Sequence, residues 1–317
     1  MKFCPPALWE SLARADASAT FFQTPAWHAI AARHFGAQSA PLLFEFAGKP
    51  NSVACLPLLR DKRWGRWRYF SPFGTYTALL CAQPLDASEI AQVEASLARL
   101  NLQLASSPFT QNPVSVGHAT QARVHVVDLA HIDAADVMRD WSPDPRRKVR
   151  MAQDAGVTIR TGDTDACWRD YLAVYLKSLQ RWGDRATSRY PDALFADIRR
   201  STAGAHRLWL AEHDGLVIAG FIAFYHNRHA CIWHGASDPA HFKTGAVQLL
   251  YRTMIAAAAR DGYAVFDLMG SGGTASLEAF KASLGTGVLE YETSLNRRGL
   301  VAALATWRER LRGGSRP

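Results

Sequence analysis

The residues best suited to chemistry lie near the end of the chain. Residues 266–273 read Phe-Asp-Leu-Met-Gly-Ser-Gly-Gly, and residues 276–285 read Ser-Leu-Glu-Ala-Phe-Lys-Ala-Ser-Leu-Gly. The pattern predicts a buried strand, a glycine-rich turn and a short helix stopped by Gly285. At roughly 100° per residue, Leu277, Phe280 and Leu284 share one apolar stripe, and Lys281 sits about 40° from Leu277 at its edge. Glu278, Ala279, Ala282 and Ser283 take the opposite face, where an ordinary surface lysine would also lie. A lysine leaning toward the apolar side, next to Phe280, could hold its charge against a reacting group. The plain alternative is a snorkelling lysine or a Glu278–Lys281 pair at helical spacing, and on the helix alone that alternative is favoured.

A chain of 317 residues is long enough for about two domains. A hydrophobic content of 48% supplies sizeable cores, and 20% charged residues argue against extended disorder. The first residues lack an apolar signal core, and the longest uninterrupted apolar candidate, 254–259, is far short of a membrane span. A cytoplasmic monomer without an integral membrane segment is therefore expected. Cys4, Cys55, Cys81, Cys167 and Cys231 are scattered and odd in number, so neither a metal site nor a disulfide framework is indicated. The formal charge of +8 favours polyanionic partners such as nucleic acid, nucleotide-linked substrates or anionic membranes.

The elements that must position Lys281 follow a plan used twice. In the second half, strands are predicted at 208–212, 217–225 and 230–236, joined by turns at Asp214-Gly215 and His226-Asn227-Arg228. A helix over 244–260, a buried strand at 265–268 and a last strand at 288–295 follow. In the first half, strands at 42–46, 52–59 and 66–70 precede a helix at 87–100 and strands at 102–105 and 123–128. Gly48 answers Gly215, and 102–105 answers 265–268, an offset of 160 to 167 residues. The pattern suggests two copies of one unit: a mostly antiparallel meander, then a helical crossover to a parallel strand. The expected fold class is α/β (α+β), each copy a mixed, mostly antiparallel sheet flanked by helices. The expected boundaries are 1–135 for the first domain and 136–317 for the second. The prolines at 143 and 145 mark the junction, and a basic helix with Arg146, Arg147, Lys148 and Arg150 opens the second copy, ending at Gly156.

Here the chain resembles a family. A duplicated GNAT-type acyltransferase fold is the architecture of the Fem-type transferases, as is a basic helix of the form Arg-Lys-Val-Arg-x-Ala-x-x-x-Gly, matched by 147–156. Arg181-Trp182-Gly183 with Ser188 and Tyr190-Pro191, then Trp233-His234-Gly235-Ala236-Ser237, look like its next two segments. Asp267 to Ser271 with Phe280-Lys281 and Leu284-Gly285 looks like its C-terminal signature. The resemblance implies transfer of an aminoacyl group from aminoacyl-tRNA to an amine, with no cofactor. The acceptor would be a nucleotide- or lipid-linked peptidoglycan-precursor peptide, an exopolysaccharide or lipid amine, or a natural-product intermediate. It further implies that Lys281 stabilises the tetrahedral oxyanion or the departing tRNA oxygen, and that Phe280 packs on the terminal adenosine or positions the lysine. On this reading the first domain shapes the acceptor groove and the second holds the reaction centre.

Further candidates carry a plain alternative each. His234 and Asp267 could assist proton removal, or be hydrogen-bonded core residues. Lys148, Arg150, Arg181, Trp182, Trp233 and Ser271 fall in the resembling segments and are taken as substrate-binding, with an exposed helix face as the alternative for the two basic residues of 147–156. The run 60–68, with Lys62, Arg63 and Arg66 interleaved with Trp64 and Trp67, suits tRNA contacts, as does Lys243; a solvated hairpin tip is the alternative. Tyr76, in the aromatic loop 70–76 with Phe73, could line the acceptor groove or fold under the sheet. Thr24 and Pro25 cap a helix carrying Trp27 as a core residue. The second reading is an acyl-CoA-dependent N-acyltransferase using acetyl-CoA. It is disfavoured because 241–247, where a glycine-rich pyrophosphate loop would stand, has the single glycine Gly245. A third is a module that binds without catalysis. The tail 311–317 is expected to fray.

Overall fold

A computed structural model describes residues 2–46, 49, 52–72, 74–183, 186 and 189–296; Gly48, Phe73, Ser188 and the tail 311–317 lie outside the described residues. In chain order the elements are β1 (Lys2–Phe3), α1 (Pro6–Ala15), α2 (Pro25–His34), β2 (Gln38–Ser39), β3 (Leu42–Glu45), β4 (Val53–Leu56), β5 (Leu59–Arg63), β6 (Arg66–Phe70), β7 (Leu80–Cys81), α3 (Ala87–Leu97), β8 (Leu102–Ala105) and β9 (His118–Asp128). There follow α4 (Pro143–Asp154), β10 (Thr158–Thr161), α5 (Asp165–Trp182), α6 (Asp192–Ser201), β11 (His206–His213), β12 (Leu216–His226), β13 (His229–Ser237), α7 (Ala246–Arg260), β14 (Val265–Gly270), α8 (Ala275–Ala282) and β15 (Gly287–Asn296). The chain forms two compact units. The first comprises 1–16, 22–122 and 291–317; the second comprises 17–21 and 123–290. The expected division was at 135/136; in the structure the last strand is shared at 290/291 and the short piece 17–21 joins the second unit.

In the first unit, the strand expected over 52–59 is two strands. Pro57 has no N–H for a ladder, and the chain breaks there into β4 and β5. β4 pairs with β3 and β7, and β3 also with β1, in one four-stranded sheet. β5 pairs instead with β2 and β6; β6 runs parallel to β8, and β8 antiparallel to residues 293–296 of β15. Thus the meander of the first half departs from that of the second. Helix α3 begins in a reciprocal capping box between Asp86 and Glu89, and its Val93 and Leu97 pack on Leu42, Leu56 and Leu102. Thr24 caps α2 by accepting the Trp27 N–H at 3.3 Å, and Trp27 is fully buried.

In the second unit the strand order is β10-β11-β12-β13-β14-β9. β13 and β14 are parallel and the other pairs antiparallel. Alternation along β12 separates the two faces. Ala219, Phe221, Ala223 and Tyr225 face a core built with α4 and α7. Gly220 points the other way, so close to α5 that a Cβ there would lie 2.8 Å from the Tyr171 ring. Helix α7 buries Leu249, Leu250, Met254 and Ile255, each stabilising by roughly 1.5–3 kcal/mol relative to exposure. The segment 17–21 stacks Phe21 on Phe224 with ring centroids 4.5 Å apart.

Helix α4 sits across the start of α7. Gly245, at φ +81, precedes α7, and a Cβ there would lie 2.2 Å from the Lys148 carbonyl oxygen. Gly245→Ala combines a left-handed backbone with a backbone clash and should cost about 2–4 kcal/mol. Chemical denaturation measures it; a loss below about 0.5 kcal/mol would mean that α4 does not seat on α7 in this way.

Candidate active site

Two bulges shape the site. On β13, Ile222 pairs with His234 but Ala223 pairs with Ile232, so Trp233 is an extra residue. A bulge interrupts the alternation of side chains, and both Trp233 and His234 meet the aromatic side of α5 and α6. Their rings contact Tyr190 at 5.1 and 5.6 Å and Phe195 at 6.0 and 5.4 Å. Tyr171 Oη lies 2.5 Å from His234 Nδ1. Burial lowers the imidazole pKa to about 3, so His234 is neutral at physiological pH.

The second bulge is on β14. Against β9, Asp267 pairs with Val126 and Gly270 with Val124, leaving Leu268 and Met269 opposite one residue. Met269 takes φ +60, uncommon for a residue with a side chain. β14 pairs with β13 only at Val265, Phe266 and Asp267. Beyond Asp267 the two parallel strands part, and the Met269 and Gly270 carbonyls fall outside that ladder. Lys281 reaches these carbonyls: its Nζ donates to Met269 O at 2.8 Å and to Gly270 O at 2.9 Å.

Lys281 is 3% exposed and the one buried residue of α8. It therefore does not snorkel. Phe280 packs on the core against Tyr251, ring centroids 5.6 Å apart, while Leu277 is exposed. Phe280 thus fixes the rotation of α8 that turns Lys281 inward. Burying an ammonium costs several kcal/mol, and each charge-assisted hydrogen bond returns about 1.5–3 kcal/mol. The two nearly balance. Burial lowers the Lys281 pKa to about 8, with the charges of Asp267 and Glu278 opposing the shift. A mostly charged ammonium near pH 7 is the result.

Asp267 is fully buried beside it. Its Oδ1 accepts the Met269 N–H at 2.7 Å, bracing the bulge, and its Oδ2 has no hydrogen-bond partner among the described residues. Burial raises its pKa to about 7, opposed by the Met269 N–H and by Lys281. The Ser271 Oγ is likewise buried without a partner among the described residues. Thr286 Oγ1 donates to Lys281 O at 3.1 Å and lies 2.9 Å from His125 Nδ1. The hydroxyl has one proton, spent on the carbonyl, so His125 donates from Nδ1. Burial and then the Lys281 charge lower the His125 pKa. His125 and Thr286 are absent from the sequence reading, since nothing local marks residues 161 positions apart as partners.

The remaining sequence candidates fall elsewhere. Lys148 is bonded to Asp144 at 3.1 Å on α4, and Arg150 is exposed on the same helix. The Arg181 guanidinium lies over the Phe242 and Trp182 rings at 4.7 and 5.7 Å, next to exposed Lys243. These residues all belong to the second unit. Lys62, Arg63 and Arg66 are exposed on the β5–β6 hairpin of the first unit. Tyr76, also in the first unit, is 2% exposed among Phe22, Phe109 and Tyr291. The structure thus brings together Lys281, Phe280, Asp267 and Ser271, and holds Trp233 and His234 on the neighbouring strand. Among the described residues no group of three or more His, Cys, Asp or Glu side chains could hold a metal ion.

The buried carboxyl gives a pH test. Below about pH 4 both the folded and unfolded chains hold the Asp267 proton; from there to about pH 7 only the fold does, so its stability falls as pH rises. Asp267→Asn lacks this loss and should gain on the natural protein across that window, then stay level. Denaturant midpoints at several pH values measure the difference; a flat difference would mean that Asp267 ionises in the fold as it does in the unfolded chain.

Residues 144–282 match the family model described as an acetyltransferase (GNAT) domain. No curated protein sequence matches the chain. Among solved structures, FemX superposes with a TM-score of 0.69 at 12% identity, covering 96% of this chain and 98% of its own. The C-terminal domain of a putative lysylphosphatidylglycerol synthetase from Agrobacterium fabrum gives 0.56 at 13% identity, covering 96% of both chains. L-PGS from Bacillus licheniformis gives 0.51 at 11% identity, covering 87% of this chain and 90% of that one. Residues 144–282, which hold Lys281 and Asp267, thus match a GNAT acetyltransferase domain, in a chain that carries the fold of FemX across nearly its whole length.

Proposed function

We propose that this acyltransferase moves an aminoacyl group from aminoacyl-tRNA to an amine acceptor, as the Fem-type resemblance implies. The observation that carries the reading is the buried Lys281 ammonium, held on the Met269 and Gly270 carbonyls at the β14 bulge. The donor ester is already activated, so the chain must position the amine, accept its proton and support the oxyanion. An ammonium has three N–H donors, two of which hold Lys281 to the bulge. The third serves the tetrahedral oxyanion or the departing ribose oxygen. Because the cation is fixed before the substrate arrives, no reorganisation is needed when charge develops. Phe280, packed against Tyr251, holds the lysine in place rather than facing outward to an adenosine. Asp267 supports the bulge through the Met269 N–H and holds the charge of Lys281 through its own.

The family match itself favours a second reading, transfer from an acyl-CoA. Helix N-termini suit pyrophosphate because their N–H groups point outward. Here the start of α7 is met by the Lys148 backbone, which speaks against a pyrophosphate at that point.

Purified protein with labelled aminoacyl-tRNAs and a panel of amine acceptors should give an RNase-sensitive label transfer, and acetyl-CoA should give none. Lys281→Met, which keeps the aliphatic stem, should lower single-turnover transfer by at least about 100-fold with the fold intact by circular dichroism. Transfer from acetyl-CoA alone, or unchanged turnover in Lys281→Met, would overturn the reading.

A further inference from the structure

The β5–β6 hairpin carries a feature that acyl transfer does not explain. Its two-residue turn is Trp64-Gly65, with φ +47 and +78. Gly and Asn suit the first turn position, whereas a bulky side chain there is strained by about 1–2 kcal/mol. Yet the residue is tryptophan, and it is 86% exposed. Strain kept at an exposed tip points to a use for the side chain.

The strands behind the tip are strongly cationic: between 60 and 68 there are five basic residues against Asp61. Asp61 is already engaged, accepting from Arg68 at 2.6 and 3.0 Å and from Arg63 at 3.4 Å. The other face is aromatic. Trp67 is 38% exposed and Phe3, on β1, 45%. The Arg60 guanidinium lies over both rings, at 4.2 and 4.8 Å, and the Lys62 ammonium lies 5.9 Å from the Trp67 ring.

We infer that this hairpin docks the protein on an anionic lipid bilayer surface. The order of the groups decides between lipid and nucleic acid. The indole leads, and the Arg63–Arg66 and Lys62–Trp67 pairs follow it, roughly 3–7 Å behind at the rise of a strand. That is the layering of a membrane interface, where indoles settle among the headgroups and cations meet the phosphates. Stacking along an RNA strand needs successive open ring faces; the Trp67 face is covered by Arg60. The inference is independent of which acyl donor the active site takes.

The test uses the full chain and sedimentation with vesicles of phosphatidylcholine alone or with about 30% phosphatidylglycerol, at roughly 0.1 M salt. Trp64→Gly removes the indole and relieves the turn, so the hairpin persists. The natural protein should sediment with the anionic vesicles only. Trp64→Gly, and separately Lys62→Glu with Arg66→Glu, should lower the bound fraction at least about fivefold, with melting temperatures no lower than that of the natural protein. Failure of the natural protein to bind anionic vesicles, or equal binding by Trp64→Gly, would overturn the inference. A gel shift with tRNA completes the test: variants that lose tRNA but keep vesicles would make the hairpin an RNA contact instead.

Discussion

The constraint on which the site depends is that a lysine ammonium lies inside the protein and stays mostly charged. Three features make this possible. The bulge at Leu268–Met269 presents two carbonyl oxygens to Lys281. Asp267 stands beside it with a fully buried carboxyl. Phe280 fixes the rotation of α8 through its contact with Tyr251. Loss of any one would leave the cation underpaired, and a buried cation without partners loses its proton.

The sheet of the second unit works through its irregularities. Pairing of β11 with β12, regular from His206 to Ala211, builds the floor. The bulge at Trp233 turns that ring and His234 into an aromatic cluster with Tyr171, Tyr190 and Phe195. The bulge on β14 turns backbone acceptors toward Lys281. Because β13 and β14 share only three paired positions, the parting of the strands is part of the fold and needs no moving lid. Thr286 secures the far side by donating to the Lys281 carbonyl, and His125 holds Thr286 in turn.

The periodic parts of this architecture were legible in the sequence. The meander at 206–237, helix α7 and the strand opening at Val265 all follow from alternation, turn residues and the glycine stop. Lys281 was visible as a lysine at the edge of an apolar stripe, but its depth was not: Leu277 is exposed, so the stripe overstated how much of α8 faces the core. The division of 52–59 at Pro57 was missed because the apolar run reads continuously across it, and the proline's missing N–H matters only once the strand has neighbours. The β14 bulge and the His125–Thr286 contact depend on pairing between distant segments, which local spacing does not encode.

The most direct measurement is the titration of the Lys281 ammonium by NMR, in protein carrying ¹⁵N-labelled lysine, with the signal assigned by its loss in Lys281→Met. A buried cation held on two carbonyls should titrate near pH 8, and lower still in Asp267→Asn, where the supporting negative charge is gone. Titration near the ordinary lysine value of 10.5, unmoved by Asp267→Asn, would show that Lys281 is solvated and would contradict the site built around it.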